Sequence, residues 1–165
     1  MFVTIEEFVN EWKKETEITE RVMDALTDQS LEQSILPGYR TLGQIAWHLV
    51  QSINYMSALG LSFEGPSGGE TAPQAASFIA SEYRRISHSM VDAVQQQWTE
   101  ASLKEGTIVH DVKWLNGASL RFLIMHQAHH RGQMTVLMRQ SGILIPEVYG
   151  PTYEKWIEKG QEPLI

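Results

Sequence analysis

Three of the six histidines lie within five residues, at positions 126, 129 and 130. On an α-helix, side chains four residues apart project from one face about one turn apart, so His126 and His130 could hold the same ion. At about 100° per residue, His129 projects roughly 60° from His126 and roughly 100° from His130. His126 and His130 are therefore the better pair of candidate metal ligands, and the alternative is a pair of histidines without an ion.

A third ligand is expected from another element, because two imidazoles hold a divalent ion weakly. His48, in the apolar segment 45–50, is the candidate. It lies on the flank of the apolar stripe of its predicted helix, roughly 120° from the centre of that stripe. His48 is thus either a metal ligand in a cleft or a boundary residue with no ligand role.

The segment 126–130 imitates the His-Glu-x-x-His motif of zinc proteases, with Gln127 in place of the glutamate. That glutamate is the general base of the protease mechanism, so peptidase chemistry is disfavoured. The sequence contains no cysteine. A thiolate nucleophile and sulfur ligands are therefore excluded, and any metal must be bound by nitrogen and oxygen.

Four long helices must position these histidines. Apolar residues recur at helical spacing over residues 4–26, 41–60, 71–98 and 119–141. Thr41 and Thr71 are predicted N-caps, and Gly142 is the predicted C′ residue of the last long helix. Residues 152–159 are expected to form one or two further turns. Residues 102–117 lack helical periodicity, and a short strand at 107–109 is not expected to form a sheet, because one brief run has no partner.

This order of elements predicts an all-α fold in a single domain, residues 1–165: a four-helix bundle with a long connection between helices 3 and 4. Metal sites in such bundles lie on facing helices. The stripe of His126, which includes Ser119, Phe122, Leu123, Gln133 and Leu137, is predicted to face inward. Residues 122–125 are apolar around nearly the whole helix, which predicts burial on two sides and hence a subunit interface.

Three sequence features together resemble the DinB/YfiT-like superfamily: Trp47-His48-Leu49, the block His126-x-x-x-His130-Arg131-Gly132-Gln133, and the tail 148–152. The resemblance implies a four-helix bundle, commonly a homodimer, that binds one divalent metal through three histidines. By this match the ligands are His48, His126 and His130, and His129 lies in the second shell or at the surface. Nickel or zinc is the implied ion, with iron, manganese and cobalt open.

Three neutral imidazoles leave a coordination position open, which invites catalysis. The resemblance implies an enzyme of S-transferase-like type, in which a small exogenous thiol, held as thiolate by the metal, attacks a small electrophile. Hydrolysis of a small substrate by metal-activated water is the nearest variant. A metal-binding stress or interaction protein without turnover is the alternative from another class.

No catalytic residue is singled out, but four side chains are candidates for supporting roles. Gln133 could orient a ligand or substrate, or form a buried bridge between helices. Arg131 is expected to make a contact between helices or between subunits. His110 with Asp111 could supply a base, and His88 is a weaker candidate of the same kind.

Charge and hydropathy exclude other partners. Thirteen basic against twenty acidic residues give a net charge of −7, which disfavours nucleic acid. The first residues lack the pattern of a secretory signal, and the most apolar window, 120–125, is far shorter than the ~20 residues that a membrane span needs. A cytoplasmic protein that acts on a small molecule is expected.

Overall fold

The computed structural model describes residues 1–109 and 111–164, and it confirms the all-α four-helix bundle. The long helices are α1 (Ile5–Asp24), α2 (Leu42–Ile53), α3 (Ala76–Gln97) and α4 (Asn116–Gln140). α1 packs against α3 and α4, and α2 packs against the same two helices. α2 and α4, which carry the candidate ligands, are therefore neighbours in the bundle.

Side-chain caps define the starts of the first two long helices. Thr4 accepts a hydrogen bond from the Glu7 backbone N–H, and Thr41 forms a capping box with Gln44 as predicted. The predicted second helix divides at Asn54, where the α-helical turns give way to a 3₁₀-helix, Asn54–Leu59. Gly60, with φ 92°, ends this segment in the left-handed conformation that favours glycine.

The predicted start of the third helix at Thr71 is wrong. α3 begins at Ala76, and its N-cap residue Ala75 makes no side-chain hydrogen bond. Asp28, far away in the sequence, instead accepts a hydrogen bond from the Ala76 N–H at 2.8 Å. A cap from a distant residue leaves no local sequence signal, so the sequence places the N-cap four residues too early, at Thr71 and not at Ala75.

The connection between α3 and α4 contains a hairpin that the sequence analysis did not expect. β1 (Gly106–Val109) pairs antiparallel with β2 (Val112–Leu115), with Gly106 opposite Leu115. Asp111 has φ 62° at the turn. The second strand includes Lys113 and is only four residues long, which hid the pairing from a search for apolar runs.

α4 begins three residues before its predicted start and ends at Gln140, with Gly142 at φ 81° as the predicted C′ glycine. A short helix, α5 (Tyr153–Glu158), lies within the predicted 152–159 segment, and Thr152 caps it. The core between the helices is filled by large side chains that are almost inaccessible to solvent, including Phe8, Trp12, Trp47, Tyr83 and Met90. None of the helices in the described ranges has the length and apolar character of a membrane span.

Candidate metal centre

The three predicted ligands meet in the groove between α2 and α4. His48 projects from α2, and His126 and His130 project from α4, where they are partly buried to buried. The prediction that the His126 stripe faces inward is only partly correct: Ser119, Leu123 and Leu137 are buried, but Phe122 and Gln133 are exposed. The centre of the buried face of α4 lies instead at Leu120, Ile124, Gln127, Arg131, Met134 and Met138.

Flanking positions on two neighbouring helices form the cluster. His48 was predicted to lie beside the apolar stripe of α2, and His126 lies about 120° from the centre of the buried face of α4 at ~100° per residue. A residue on the flank of a helix faces the groove beside its neighbour. Both residues therefore point at the same groove, although neither points into the core.

The distances between the imidazole nitrogens suit a shared ion. His126 Nε2 lies 3.3 Å from His48 Nε2 and 3.2 Å from His130 Nε2. Nitrogens bound at about 2.05 Å to a tetrahedral ion are ~3.3 Å apart, which is the length of the tetrahedral edge. All three ligand atoms lie within 4.8 Å of one another, so the residues present fit one small cation.

Burial and mutual repulsion keep these rings neutral. Desolvation, followed by the neighbouring histidines and Arg40, lowers the pKa of His48 and of His126 to about 4. Desolvation also lowers the pKa of His130, while its hydrogen bond with Gln133 acts in the opposite direction. Neutral imidazoles offer a lone pair for a metal, and a protonated ring offers none.

Two glutamines of α4 make hydrogen bonds near the candidate ligands. Gln133 Oε1 lies 2.7 Å from His130 Nδ1, so Nδ1–H donates to the amide and the lone pair remains on Nε2. Gln133 thus orients the candidate ligand His130, and because Gln133 is exposed the alternative of a buried bridge is wrong. The buried bridge is Gln127, which donates to Leu49 O at 3.1 Å and Ser52 Oγ at 3.0 Å. The sequence analysis missed this role, although position 127 lies on the buried face.

The ligand set is open. In the part of the chain that the structure describes, the residues that can share an ion are these three histidines, with no Asp or Glu among them. Two cavities, each of about 370 Å³, adjoin the cluster. His126 lines an apolar cavity together with Tyr55, Met56, Ala58, Leu59, Trp114, Ser119, Phe122 and Leu123. His48 lines a polar cleft together with Arg40, Gln44, Trp47, Gln51, Glu70, Thr71 and Ala72.

Neither His129 nor His88 joins the cluster. His129 is exposed, and its ring lies beside that of His130 with the centroids 4.8 Å apart. His88 is exposed, with Nε2 3.9 Å from Glu20 Oε1. His110 lies outside the described residues, so the proposed His110–Asp111 base is not placed, and Asp111 itself is exposed.

Arg131 makes the predicted contact between helices. Its side chain is 1% exposed, and Nη1 donates to Thr19 Oγ1 at 2.8 Å and to Glu15 O at 3.1 Å on α1. Nη2 donates to Glu15 Oε2 at 2.6 Å and to the Tyr149 hydroxyl. The Tyr149 hydroxyl in turn donates to Glu15 at 2.7 Å, which ties the C-terminal segment to the bundle.

Known proteins resemble this chain along nearly its whole length. A family model described as the DinB family matches residues 1–162. The uncharacterized protein YrdA of Bacillus subtilis (strain 168) is 42% identical over 163 residues, which cover 98% of each chain. The crystal structure of a DinB-like protein from Bacillus cereus ATCC 10987 superposes with a TM-score of 0.86 at 45% identity, over 90% of this chain and all of that one.

Proposed function

The chain belongs to the DinB family, and from that premise we propose that His48, His126 and His130 bind one divalent metal ion at the active site of a metal-dependent enzyme. The support is geometric: three neutral imidazoles converge from two helices, two of their nitrogen–nitrogen distances are close to a tetrahedral edge, and all three nitrogens lie within 4.8 Å of one another. The resemblance of the sequence motif to that of the family points to the same three residues.

Hydrogen bonding supports an ion at this position. The Gln133 contact leaves a bare acceptor at His130 Nε2. If His126 Nε2 donates to that acceptor, it cannot also accept from His48; if it accepts from His48, its contact with His130 has no proton. One nitrogen contact is therefore unsatisfied in either tautomer, whereas a single cation would satisfy all three lone pairs.

The reaction that we propose is transfer of a small exogenous thiol to a small electrophile. A divalent ion bound by the histidines would supply Lewis-acid chemistry, lowering the pKa of a thiol that takes the open position. The thiol must come from outside, because the chain has no cysteine. No carboxylate lies among the three candidate ligands, and Glu70 lines the cleft beside His48, so hydrolysis by metal-activated water is the nearest variant of this proposal.

Zinc or nickel is the proposed ion, since imidazole suits both, and iron, manganese and cobalt are the further candidates. A homodimer is the proposed assembly. Phe122 and Met125 remain 48% and 61% exposed on α4, as expected if a second subunit covers them, while Leu123 and Ile124 are buried within the bundle. A small molecule is the proposed partner, and the net charge of −7 disfavours nucleic acid.

Metal analysis of untagged protein tests the ligand set. We expect about one zinc or nickel ion per chain after loading and dialysis, with loss of the ion in His48→Ala, His126→Ala and His130→Ala. His129→Ala is the matched control, because His129 is adjacent to His130 but outside the cluster, and it should retain the ion. Full metal content in all three triad variants would refute the assignment.

Turnover is tested separately, with metal-loaded and metal-free protein. Each is mixed with monochlorobimane and glutathione, bacillithiol or mycothiol, and formation of the fluorescent conjugate is followed. We expect faster conjugation with at least one thiol on the loaded wild type, and background rates with His126→Ala. A tightly bound ion without acceleration for any thiol would contradict the transferase proposal and favour hydrolysis or metal binding without turnover.

A further inference from the structure

The apolar cavity beside the histidines has the form of a binding site for a small molecule. Its volume, about 370 Å³, falls in the range typical of ligand pockets. Met56, Leu59 and Leu123 form a buried floor, whereas Tyr55 and Phe122 at the sides are about half exposed. In a single chain the cavity is therefore anchored in the bundle core and open at its rim, and in the proposed dimer the second subunit would adjoin the Phe122 side of that rim.

The lining of this cavity is uncharged. None of its nine residues is Asp, Glu, Lys or Arg, and the Ser119 hydroxyl already donates to Leu115 O at 3.0 Å. The rings of Trp114 and Phe122 meet edge to face with centroids 5.4 Å apart, and Phe122 lies 5.8 Å from the ring of His126. An aromatic wall thus extends from the hairpin to the histidine cluster.

The cleft on the opposite side of the cluster differs in chemistry. His48 adjoins Arg40, Glu70 and two glutamines there. A charged or strongly hydrated group finds several hydrogen-bond partners in the cleft that His48 lines. In the apolar cavity the polar side chains are Trp114, Tyr55 and His126, together with Ser119, whose hydroxyl proton is already donated. The two approaches to the cluster therefore select for different parts of a ligand, or for different ligands.

We infer that the apolar cavity binds the uncharged, ring-sized apolar body of the molecule on which the centre acts, with one electron-donating or reactive group directed past His126. The inference rests on the proposed metal centre and adds a substrate class to it: neutral molecules that carry an aromatic or comparably bulky apolar group. The aromatic wall supplies the stacking surface, and burial of the ring supplies the free energy of binding.

Imidazole and 4-phenylimidazole test this inference on zinc-loaded protein by titration calorimetry. Both are neutral donors that can take an open metal position, and only the second carries a ring for the cavity. We expect 4-phenylimidazole to bind at least tenfold more tightly. Equal affinity for the two probes on protein with a full complement of zinc would overturn the inference and leave the metal centre intact.

Two matched variants locate the ring. Ala58 is exposed and lines the cavity, so Ala58→Phe fills the cavity without altering the core. We expect this variant to keep its zinc and lose the preference for 4-phenylimidazole. Ser57→Phe adds the same ring at the adjacent exposed residue outside the lining and should keep the preference. If both variants keep it, the ring binds elsewhere and the inference fails.

A measurement without metal separates the two proposals. Toluene added to metal-free protein should shift the methyl NMR signals of Met56, Leu59 and Leu123, because the cavity exists without an ion, and Ala58→Phe should abolish the shifts. If zinc does not bind but the shifts appear, the metal proposal alone fails. Absence of shifts in the wild type would show that the cavity does not take up the ring and would overturn the inference. A smaller oligomer for Ala58→Phe than for Ser57→Phe on sizing would identify the cavity as a subunit contact and would overturn it as well.

Discussion

His130 and Arg131 are adjacent on α4, yet they belong to polar clusters of opposite kinds. Arg131 is fully buried and shares its Nη1 and Nη2 groups among Glu15, Thr19 and Tyr149. His130 Nε2 lies 3.2 Å from His126 Nε2 and within 4.8 Å of the ligand nitrogen of His48, while Nδ1 contacts Gln133. The first cluster matches donors of Arg131 to acceptors from the chain itself, whereas in the second the chain leaves one nitrogen contact without a proton.

We interpret the Arg131 cluster as a set of polar groups that maintain the fold and the histidine cluster as a set that would bind a ligand. A buried cation with its carboxylate is completed by folding, so its loss leaves uncompensated groups in the interior. A group of clustered lone pairs is completed only by something from outside the chain. Replacing a residue in each cluster should therefore affect two different measurements, stability in one case and metal affinity in the other.

The largest effect is expected from Arg131→Met. The side chain is replaced by an apolar one of similar length, and Glu15 and Thr19 lose their buried partner. Loss of one partner of a buried ion pair costs about 3–5 kcal/mol of unfolding free energy. Urea denaturation of metal-free protein measures it. Arg139→Met is the matched control, because Arg139 pairs with Glu154 at the surface, and it should cost no more than about 1 kcal/mol.

If Arg131→Met does not fold, Tyr149→Phe provides the same comparison in a milder form. It removes one hydroxyl that accepts from Arg131 and donates to Glu15. A loss of about 1 kcal/mol is expected, the usual contribution of a single hydrogen bond. Equal unfolding free energies for Arg131→Met and Arg139→Met would show that this cluster does not hold the bundle together. An unfolding free energy of Tyr149→Phe equal to that of the wild type would show the same.

The second prediction concerns His126→Ala. The unfolding free energy of the metal-free variant should lie within about 1 kcal/mol of that of the wild type. The reason is that His126 Nε2 has no fully satisfied set of hydrogen bonds to lose and that the side chain lies in a groove. Zinc at a hundred times its dissociation constant should stabilise the wild type by about 2.7 kcal/mol and the variant not at all. Thermal unfolding with and without zinc measures both. Equal stabilisation of wild type and variant would place the ion elsewhere.

Much of this arrangement could be predicted from the sequence, because helical spacing fixes directions within one helix. The pairing of His126 with His130 followed from the four-residue interval alone, and the C-terminal end of α4 from Gly142. The direction of His48 relative to α4 did not follow, since it depends on which helices are neighbours. The resemblance to a family supplied that link, and the structure places both candidate residues on helix flanks that face one groove.

Contacts that leave no periodic pattern in the sequence account for two of the predictions that were wrong. The start of α3 depends on Asp28, and the hairpin depends on a pairing between two four-residue strands, neither of which leaves a periodic pattern. Gln127 was considered only as a missing glutamate, although its position on the buried face is visible in the helical angles. The apolar cavity draws on the 3₁₀-helix, the hairpin and α4, so its shape appears only when these elements are assembled.

The smallest expected effect comes from Gln133, and it tests how the ligand cluster is prepared for its ion. Gln133→Ala removes the acceptor that holds the Nδ1–H of His130, which frees the ring to rotate and to move its proton to Nε2. Loss of such a partner typically weakens metal binding by 10- to 100-fold, and we expect a value near the lower end, about tenfold, because Gln133 is exposed. Unfolding of the metal-free protein should not change.

Gln133→Glu tests whether a stronger hydrogen-bond acceptor at this position raises or lowers the zinc affinity. A carboxylate accepts the same hydrogen bond more strongly and makes the imidazole a better donor, so zinc affinity should equal or exceed that of the wild type. Competition with a chromophoric chelator measures all three proteins, and Gln140→Ala, at an exposed position on the same helix, is the control. Weaker binding in the Glu variant than in the Ala variant would show that Gln133 does not act through the proton on His130.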